Sequence, residues 1–143
     1  MLVSDIMKQN VISVTPDAPV SSAARLLSQY NIGALPVCST DGKLRGVLTD
    51  RDIVTRCVAV EEDPQTMSVK EIMTRACVSV SAGDDLLEAV QRMADKQIRR
   101  LPVTDKSGKV SGMLSLADIA KSSAFKMEAA EALSDITANI KKL

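Results

Sequence analysis

The sequence lacks histidine and tryptophan, and it contains one tyrosine, one phenylalanine and three cysteines. Histidine is the commonest metal ligand and general base, and no cysteine belongs to a C-x-x-C pair, so we predict no metal site. No serine or cysteine has a plausible base partner in the sequence, so we predict no enzyme activity. The unpaired cysteines are typical of reduced thiols in a cytoplasmic protein. The core must be aliphatic.

The sequence also has no excess of charge and no long apolar run. Its 18 basic and 18 acidic residues give a formal net charge of zero. A nucleic-acid-binding protein usually carries a basic excess, and often aromatic platforms, so nucleic acid is not a predicted partner. No stretch approaches the roughly 18 apolar residues of a membrane span, and the N-terminus lacks the pattern of a signal peptide. These features predict a cytoplasmic protein without membrane contact, and they still allow a local basic pocket for a small anion.

An internal repeat is the main feature that the sequence does contain. Shifting the chain by 66 residues aligns Val3 with Val69, and the alignment continues without a gap to Cys57 and Ser123. The clusters that coincide are Val3-x-x-Ile6-Met7 with Val69-x-x-Ile72-Met73, Leu35-Pro36-Val37 with Leu101-Pro102-Val103, Gly42-Lys43 with Gly108-Lys109, and Asp52-Ile53 with Asp118-Ile119. Chance does not keep one register through separated clusters, so we predict two copies of one structural unit.

Each copy is predicted to fold as β-α-β-β-α. In the first copy, residues 11–14 are rich in strand formers and precede a turn, and apolar residues then recur at helical spacing over 20–30. Residues 35–38 and 44–48 are predicted strands joined by a hairpin turn, and a helix is predicted to begin near Asp52. The predicted fold class is therefore α/β, of the α+β type, with two β-α-β-β-α repeats packed about a pseudo-twofold axis.

The repeat also sets the predicted domain boundaries. Residues 1–60 form the first repeat, 61–68 a solvated linker, 69–124 the second repeat, and 125–143 a C-terminal amphipathic helix. Apolar residues of that helix recur at spacings of three and four, namely Ala129, Leu133, Ile136, Ile140 and Leu143. This stripe indicates a helix that packs either on its own module or against another chain.

A motif with binding chemistry lies where the last strand of each repeat meets the following helix. Its pattern is a glycine, two apolar residues, a hydroxyl residue, two variable residues and an aspartate, and it begins at Gly46 and again at Gly112. The hydroxyl would lie at a helix N-terminus, where free N–H groups favour an anion, and the aspartate could accept hydrogen bonds from a ribose. The alternative is a capping box that serves only the helix. Its presence in both repeats favours a ligand.

The second repeat has an arginine pair that the first repeat lacks. Arg99 and Arg100 precede the Leu-Pro-Val strand, whereas Gly33 and Ala34 occupy the equivalent positions. Adjacent guanidinium groups suit bidentate contacts with phosphate, and the alternative is a solvated edge with surface ion pairs. We therefore predict one tighter anion site in the second repeat and a weaker or empty one in the first.

The paired repeats, the LPV strands, the doubled G-h-h-[ST]-x-x-D motif and the IRRLPV stretch resemble the CBS-domain family. The resemblance is to a tandem CBS pair, or Bateman module, of the stand-alone bacterial type. It implies clefts between the repeats that bind an adenine nucleotide such as AMP, ADP or ATP. By position, the implied nucleotide-binding residues are Thr49, Arg51, Asp52, Ser115 and Asp118 at ribose and phosphate, Arg99 and Arg100 at phosphate, and Ile12, Val14, Val78 and Val80 at adenine.

The resemblance further implies a regulatory module that has no cofactor of its own and signals to an unidentified partner protein. It also implies a homodimer formed through the helices that follow the two motifs, which carry Ile53, Val54, Cys57, Ile119 and Ala120. Two alternatives are another adenosyl ligand such as S-adenosylmethionine and a ligand-free dimerisation scaffold.

Overall fold

The computed structural model of the chain describes residues 1–75, 78–122 and 125–138. The elements in chain order are α1 (Val3–Ile6), α2 (Val20–Tyr30), β1 (Ala34–Cys38), β2 (Leu44–Thr49), α3 (Asp50–Ile53), α4 (Leu86–Lys96), β3 (Arg100–Thr104), β4 (Val110–Ser115), α5 (Leu116–Ala120) and α6 (Lys126–Thr137). A π-helical segment, Val54–Val58, continues α3, and a 3₁₀ turn spans Val69–Glu71. Helices and two small two-stranded sheets, β1-β2 and β3-β4, confirm the predicted α+β class.

The chain divides into two compact units. The first unit comprises Ile12–Cys77 with Lys106–Val110, and the second comprises Met1–Val11, Val78–Asp105 and Ser111–Leu143. Units defined by contacts thus differ from repeats defined by sequence, because the two repeats exchange their first segments. Met1–Val11, from the first repeat, belongs to the second unit, and the segment that begins at Val69, from the second repeat, belongs to the first unit. The candidate residues of the first motif all belong to the first unit, and those of the second motif to the second unit.

Short backbone ladders attach these exchanged segments. In the second unit, Val3 N donates to Asp84 O over 2.9 Å, and Lys8 pairs with Met113 through two bonds of 2.8 and 2.9 Å. In the first unit, Val69 N donates to Ala18 O over 2.9 Å. Val3 and Val69 are both fully buried, so the exchanged segments belong to the cores and are not loose extensions.

The hairpin of the first unit forms where the sequence predicts it. Strands β1 and β2 are antiparallel, with Ala34 opposite Thr49 and Leu35 opposite Leu48. Gly42 occupies the turn with φ +85°, a conformation that side chains with a Cβ rarely adopt. Leu35 and Leu48 are fully buried, so one face of the hairpin closes the aliphatic core against α2.

The first predicted strand of each repeat is wrong as a strand. Val14 forms only a one-residue parallel bridge to Val37, in which Cys38 N donates to Val14 O over 2.9 Å. Val80 forms the equivalent bridge to Val103. A turn at residues 15–18 follows in the first repeat, and Pro16 has no N–H to extend a ladder. Each hairpin is therefore bordered by a single bridging residue in place of a third strand.

The helix after the first motif also begins earlier than predicted. It starts at Asp50, with Thr49 as the N-cap, and not at Asp52.

None of the helices in the part of the chain that the structure describes has the length and apolar character needed to cross a membrane.

Candidate functional site

In the first unit, Thr49 and Asp52 form a reciprocal capping box at the start of α3. The Asp52 backbone N–H donates to Thr49 Oγ1 over 3.1 Å, and the Thr49 backbone N–H donates to Asp52 Oδ2 over 3.0 Å. Both donors would otherwise lack partners at a helix N-terminus. The capping geometry that the sequence left as an alternative is thus present in the first unit, and it already engages both of the predicted ligand residues.

Asp52 also faces a cation from its own helical segment. Arg56 Nη1 lies 3.7 Å from Asp52 Oδ1 and donates a hydrogen bond of 2.9 Å to Ile72 O. Both carboxylate oxygens of Asp52 therefore have partners within the protein, and the residue is only 8% exposed. Arg51, which the sequence offers as a phosphate contact, is exposed and directly precedes Asp52 in α3. A ligand at this junction would have to share or displace existing bonds.

The junction of the second unit has only one of the two capping hydrogen bonds. The Asp118 backbone N–H donates to Ser115 Oγ over 3.1 Å, but the reciprocal bond to the Ser115 N–H is not formed, although both residues are described. Asp118 Oδ1 instead lies 3.6 Å from Lys8 Nζ, whose side chain is 68% exposed. An exposed, flexible lysine holds a carboxylate weakly. The second junction therefore keeps more free hydrogen-bonding capacity than the first.

The strand starts lie against these junctions in both units. Asp50 N donates to Gly33 O over 3.1 Å in the first unit, and Leu116 N donates to Arg99 O over 2.8 Å in the second. The backbone at the predicted arginine pair is therefore hydrogen-bonded to the residue that follows the hydroxyl of the motif. In the first unit the same contact brings only a glycine to the junction.

A cleft of about 410 Å³ opens at the second junction. Its polar lining comes from Arg99, Arg100, Ser115 and Lys126, and its apolar lining comes from Leu116, Ala117, Ala120, Ala129, Ala130 and Leu133. This volume lies within the range of about 300–1,000 Å³ that small-molecule sites occupy. The structure thus brings Arg99, Arg100 and Ser115 together around one concave space that has three cationic side chains and mostly apolar walls.

The other predicted residues lie around the cores of the two units. Val14 and Val80 are buried, with 7% and 3% of their surface exposed. Ile12 and Val78, each two positions earlier in the chain, are half-buried against the same cores. Asp118 and these valines do not line the cleft of the second unit. An adenine contact at these positions therefore remains a prediction, with Ile12 and Val78 offering the more accessible side chains.

Sequence reasoning did not identify the wall that the C-terminal helix contributes. Helix α6 packs against α4 and α5 within the second unit, and its Ala129 and Ala132 are buried there. Ala129 and Ile136 of the predicted stripe therefore pack on their own module and Leu133 is 43% exposed, while Ile140 and Leu143 lie outside the described residues. Leu133 and Lys126 border the cleft. The helical spacing marked Leu133 as apolar, but nothing in the sequence indicated that Lys126 lies beside the arginine pair.

The glycine of each motif serves close packing. A Cβ at Gly46 would lie 2.7 Å from Thr74 O and 3.0 Å from Met73 Sδ. A Cβ at Gly112 would lie 2.8 Å from Met7 Sδ and 3.0 Å from Lys8 O. In both units the crowding atoms belong to the exchanged first segment. The doubled glycine is therefore explained by backbone proximity without any ligand.

The cysteines and acidic residues do not form a metal centre in the described ranges 1–75, 78–122 and 125–138. Cys38 and Cys57 are buried and unpaired. Burial raises the pKa of the Cys57 thiol, and the negative charges of Glu62 and Asp63 raise it further. Burial also raises the pKa of Cys38, against a smaller opposing effect of a hydrogen bond with Ser13. Neutral thiols of this kind behave as small apolar side chains.

Comparison with known proteins identifies the family of the chain. The CBS domain family model matches residues 3–59 and 69–124. The CBS domain-containing protein YhcV of Bacillus subtilis is 41% identical over 135 residues, which cover 94% of each chain. Hypoxic response protein 1 of Mycobacterium tuberculosis is 36% identical over 117 residues, 82% of this chain and 81% of its own.

Two solved structures are similar throughout most of the chain. The structure of Hypoxic Response Protein I, described with two coordinated zinc ions, has a TM-score of 0.78 at 35% identity and covers 85% of this chain and 98% of that one. The CBS domain pair of protein MJ0100, solved with 5-methylthioadenosine and S-adenosyl-L-methionine, has a TM-score of 0.77 at 27% identity and the same coverages. The chain therefore belongs to the CBS-domain family and carries two copies of the domain, a tandem pair that forms a Bateman module.

Proposed function

We propose that this protein is a regulatory sensor that binds an adenine nucleotide in the cleft of the second unit and has no catalytic role. The observation that carries the proposal is the convergence of Arg99, Arg100 and Ser115 on one concave site of small-molecule size. An adenosyl ligand in the related MJ0100 pair supports the choice of ligand class. A nucleotide fits these walls because its base can pack on apolar side chains while its phosphates meet cations.

The charge of the cleft favours a nucleotide over S-adenosylmethionine. That alternative ligand carries a sulfonium and an ammonium group against a single carboxylate, so its net charge is positive. The described lining has three cationic side chains and no acidic one. Like charges in a partly desolvated cleft oppose binding, whereas phosphates gain charge-assisted hydrogen bonds. AMP, ADP and ATP are therefore the expected ligands.

The two motifs are expected to bind with unequal affinity. In the first unit both oxygens of Asp52 are engaged and a glycine lies at the strand start. In the second unit the carboxylate of Asp118 lacks the reciprocal capping bond, and two arginines lie beside the junction. Our proposal is one tight nucleotide site in the second unit and a weaker or empty one in the first.

Calorimetric titration with AMP, ADP, ATP, adenosine and S-adenosylmethionine tests the proposal, with thermal melting as a second measurement. A ligand that binds only the folded state stabilises it by about 2.7 kcal/mol at a hundredfold excess over Kd. Replacing both arginines, Arg99→Ala with Arg100→Ala, removes two charge-assisted bonds of roughly 1.5–3 kcal/mol each, so nucleotide affinity should fall by about 100-fold or more. Adenosine affinity should change little.

The matched control replaces two exposed arginines of the first unit, Arg25→Ala with Arg45→Ala. It removes the same charge and should leave nucleotide binding intact. Equal losses for adenosine and AMP in the Arg99/Arg100 variant would refute the phosphate role. The absence of heat and of a melting shift with every adenosyl ligand at millimolar concentration would refute nucleotide sensing and favour a ligand-free scaffold.

We also propose that the protein works as a homodimer in the cytoplasm and transmits nucleotide binding to a partner protein. Ile53, Cys57 and Ile119 are buried within their own units, so they leave no surface for another chain. Val54 and Val58, which are 57% and 60% exposed along one helical segment, are the better candidates for an intermolecular contact. Binding at the start of such a helix can shift assembly only by its differential affinity for the two states.

Sedimentation at micromolar concentration with and without ATP tests this second proposal. Val54→Lys with Val58→Lys should give a monomer, whereas Leu87→Lys, at a 44% exposed leucine of the second unit, should not. A monomeric wild-type protein would end the dimer proposal. A dimer with identical exchange protection in both conditions would remove only the coupling.

A further inference from the structure

We propose that helix α6 completes the nucleotide cleft of the second unit, and that Lys126 makes the site select ligands with two or three linked phosphates over a monophosphate. The inference rests on the proposed function for the identity of the ligand, but its chemistry, an oligophosphate site, is independent of the base. The observation is the juxtaposition of Lys126 with Arg99 and Arg100 around one cleft.

Lys126 lies outside the residues that the family describes. The CBS domain match ends at residue 124, so this wall of the cleft does not belong to the matched repeats. Helix α6 is nevertheless firmly placed, because Ala129 and Ala132 are 2% exposed and pack within the core of the second unit. The helix thus presents Lys126 and Leu133 to the cleft from a fixed backbone.

The position of Lys126 is electrostatically unfavourable for the helix itself. It is the first residue of α6, where the macrodipole favours acidic side chains and disfavours cations. Lys126 forms no ion pair with any other described residue. Neither helix stability nor a salt bridge within the second unit accounts for a cation at this position. A phosphate in the cleft would account for it, because the anion would neutralise the lysine and the arginine pair together.

Three cations carry more positive charge than one phosphate monoester, which bears about −1.5 to −2 at pH 7, can neutralise. Two guanidinium groups already suffice for a bidentate contact with a monophosphate. Lysine presents a compact charge on a flexible four-carbon stem, so it reaches a second or third phosphate group while the arginines hold the first. The walls around Ala129, Ala130 and Leu133 leave the apolar part of the cleft for the rest of the ligand.

The experiment compares affinities for AMP, ADP, ATP, pyrophosphate and tripolyphosphate in the full chain and in three variants. Lys126→Gln should weaken ATP and tripolyphosphate by about tenfold or more, and AMP by less than about twofold, because only the longer phosphate chains reach the lysine. Lys126→Arg should retain most of the affinity. Lys121→Gln, at an exposed lysine outside the cleft, removes the same charge from the same unit and should change no affinity appreciably.

Each outcome separates this inference from the proposed function. Equal effects of Lys126→Gln on AMP and ATP, or no effect on either, would overturn the selectivity and leave nucleotide sensing intact. Binding of tripolyphosphate that depends on Lys126, without binding of any nucleotide, would support the oligophosphate site and refute adenine recognition. A wild-type chain that binds neither nucleotides nor tripolyphosphate would overturn both. Melting of the ligand-free variants checks that all four chains are equally folded.

Discussion

Replacing Gly46 with alanine tests whether the glycine of the shared motif serves packing or ligand binding. The added Cβ would lie 2.7 Å from Thr74 O, a distance that real Cβ contacts do not show. The obstacle is a backbone atom, which cannot rotate away as the end of a side chain can. The segment at Thr74 must therefore move away from β2.

The cost follows from the bonds that hold this segment. Val47 N donates to Thr74 O over 3.0 Å, and Thr74 N donates to Val47 O over 2.9 Å. Losing both bonds costs about 1–3 kcal/mol. Alanine also restricts the unfolded chain, which offsets roughly 0.4–1 kcal/mol. The control Gly83→Ala isolates that offset, because a Cβ there meets nothing within 4 Å.

The assay is equilibrium unfolding in urea, with amide exchange at Val47 and Thr74 as a local measurement. Gly46→Ala should be about 1–3 kcal/mol less stable than Gly83→Ala, and both amides should lose protection. Stability equal to that of Gly83→Ala would refute the packing explanation. Unchanged stability together with lost nucleotide binding would show that the glycine serves a ligand.

Three further predictions follow from local contacts. Thr49→Ala should cost about 1 kcal/mol in thermal unfolding because it removes the N-cap acceptor of α3, while Thr49→Ser should not; equal stability of both would exclude the capping role. Hydrogen bonds from the Ser68 N–H and hydroxyl lower the pKa of Glu71, so its contribution to stability should be present at neutral pH and lost as the pH falls below about 4.3; a wild-type acid profile in Glu71→Gln would contradict this. The raised pKa of the Cys57 thiol predicts alkylation at pH 7 that is at least about tenfold slower in the folded than in the denatured protein, as measured by peptide mass spectrometry. The contribution of the neutral thiol to stability should be lost as the pH rises through the pKa of the folded state. Comparable alkylation rates in both states would show that the thiol is accessible.

Much of the fold could be predicted because it depends on local sequence. The amphipathic spacing of α2, the Leu-Pro-Val strand and the glycine turn at Gly42 each specify their own conformation, and the repeat confirms them a second time. Even the capping box at Thr49 was visible as an alternative. The extent of the first strand of each repeat could not be predicted, because the number of its ladder hydrogen bonds depends on where the following turn begins.

The differences between the two candidate sites could be predicted only in part. The arginine pair is visible in the sequence, and the structure places it in the lining of the cleft at the second junction. The Asp52–Arg56 pair has the i,i+4 spacing of a helical ion pair, which the sequence contains, whereas Lys8 reaches Asp118 from a distant part of the chain. Lys126 lies beside Arg99 only because α6 folds back on α4 and α5. Contacts between residues distant in sequence leave no spacing pattern to recognise.

The exchange of first segments has a consequence for any attempt to divide the chain. A fragment that ends between the repeats would contain Val3 without the core that buries it, and it would lack Val69, which fills the core of the first unit. Such a half would have an unburied apolar segment at Val3 and a gap in its core at the position of Val69. Two copies could complete each other's cores only by domain swapping, in which each inserts its first segment into the other. In the tandem chain the same exchange occurs within one molecule, so folding of the duplicated chain no longer depends on protein concentration.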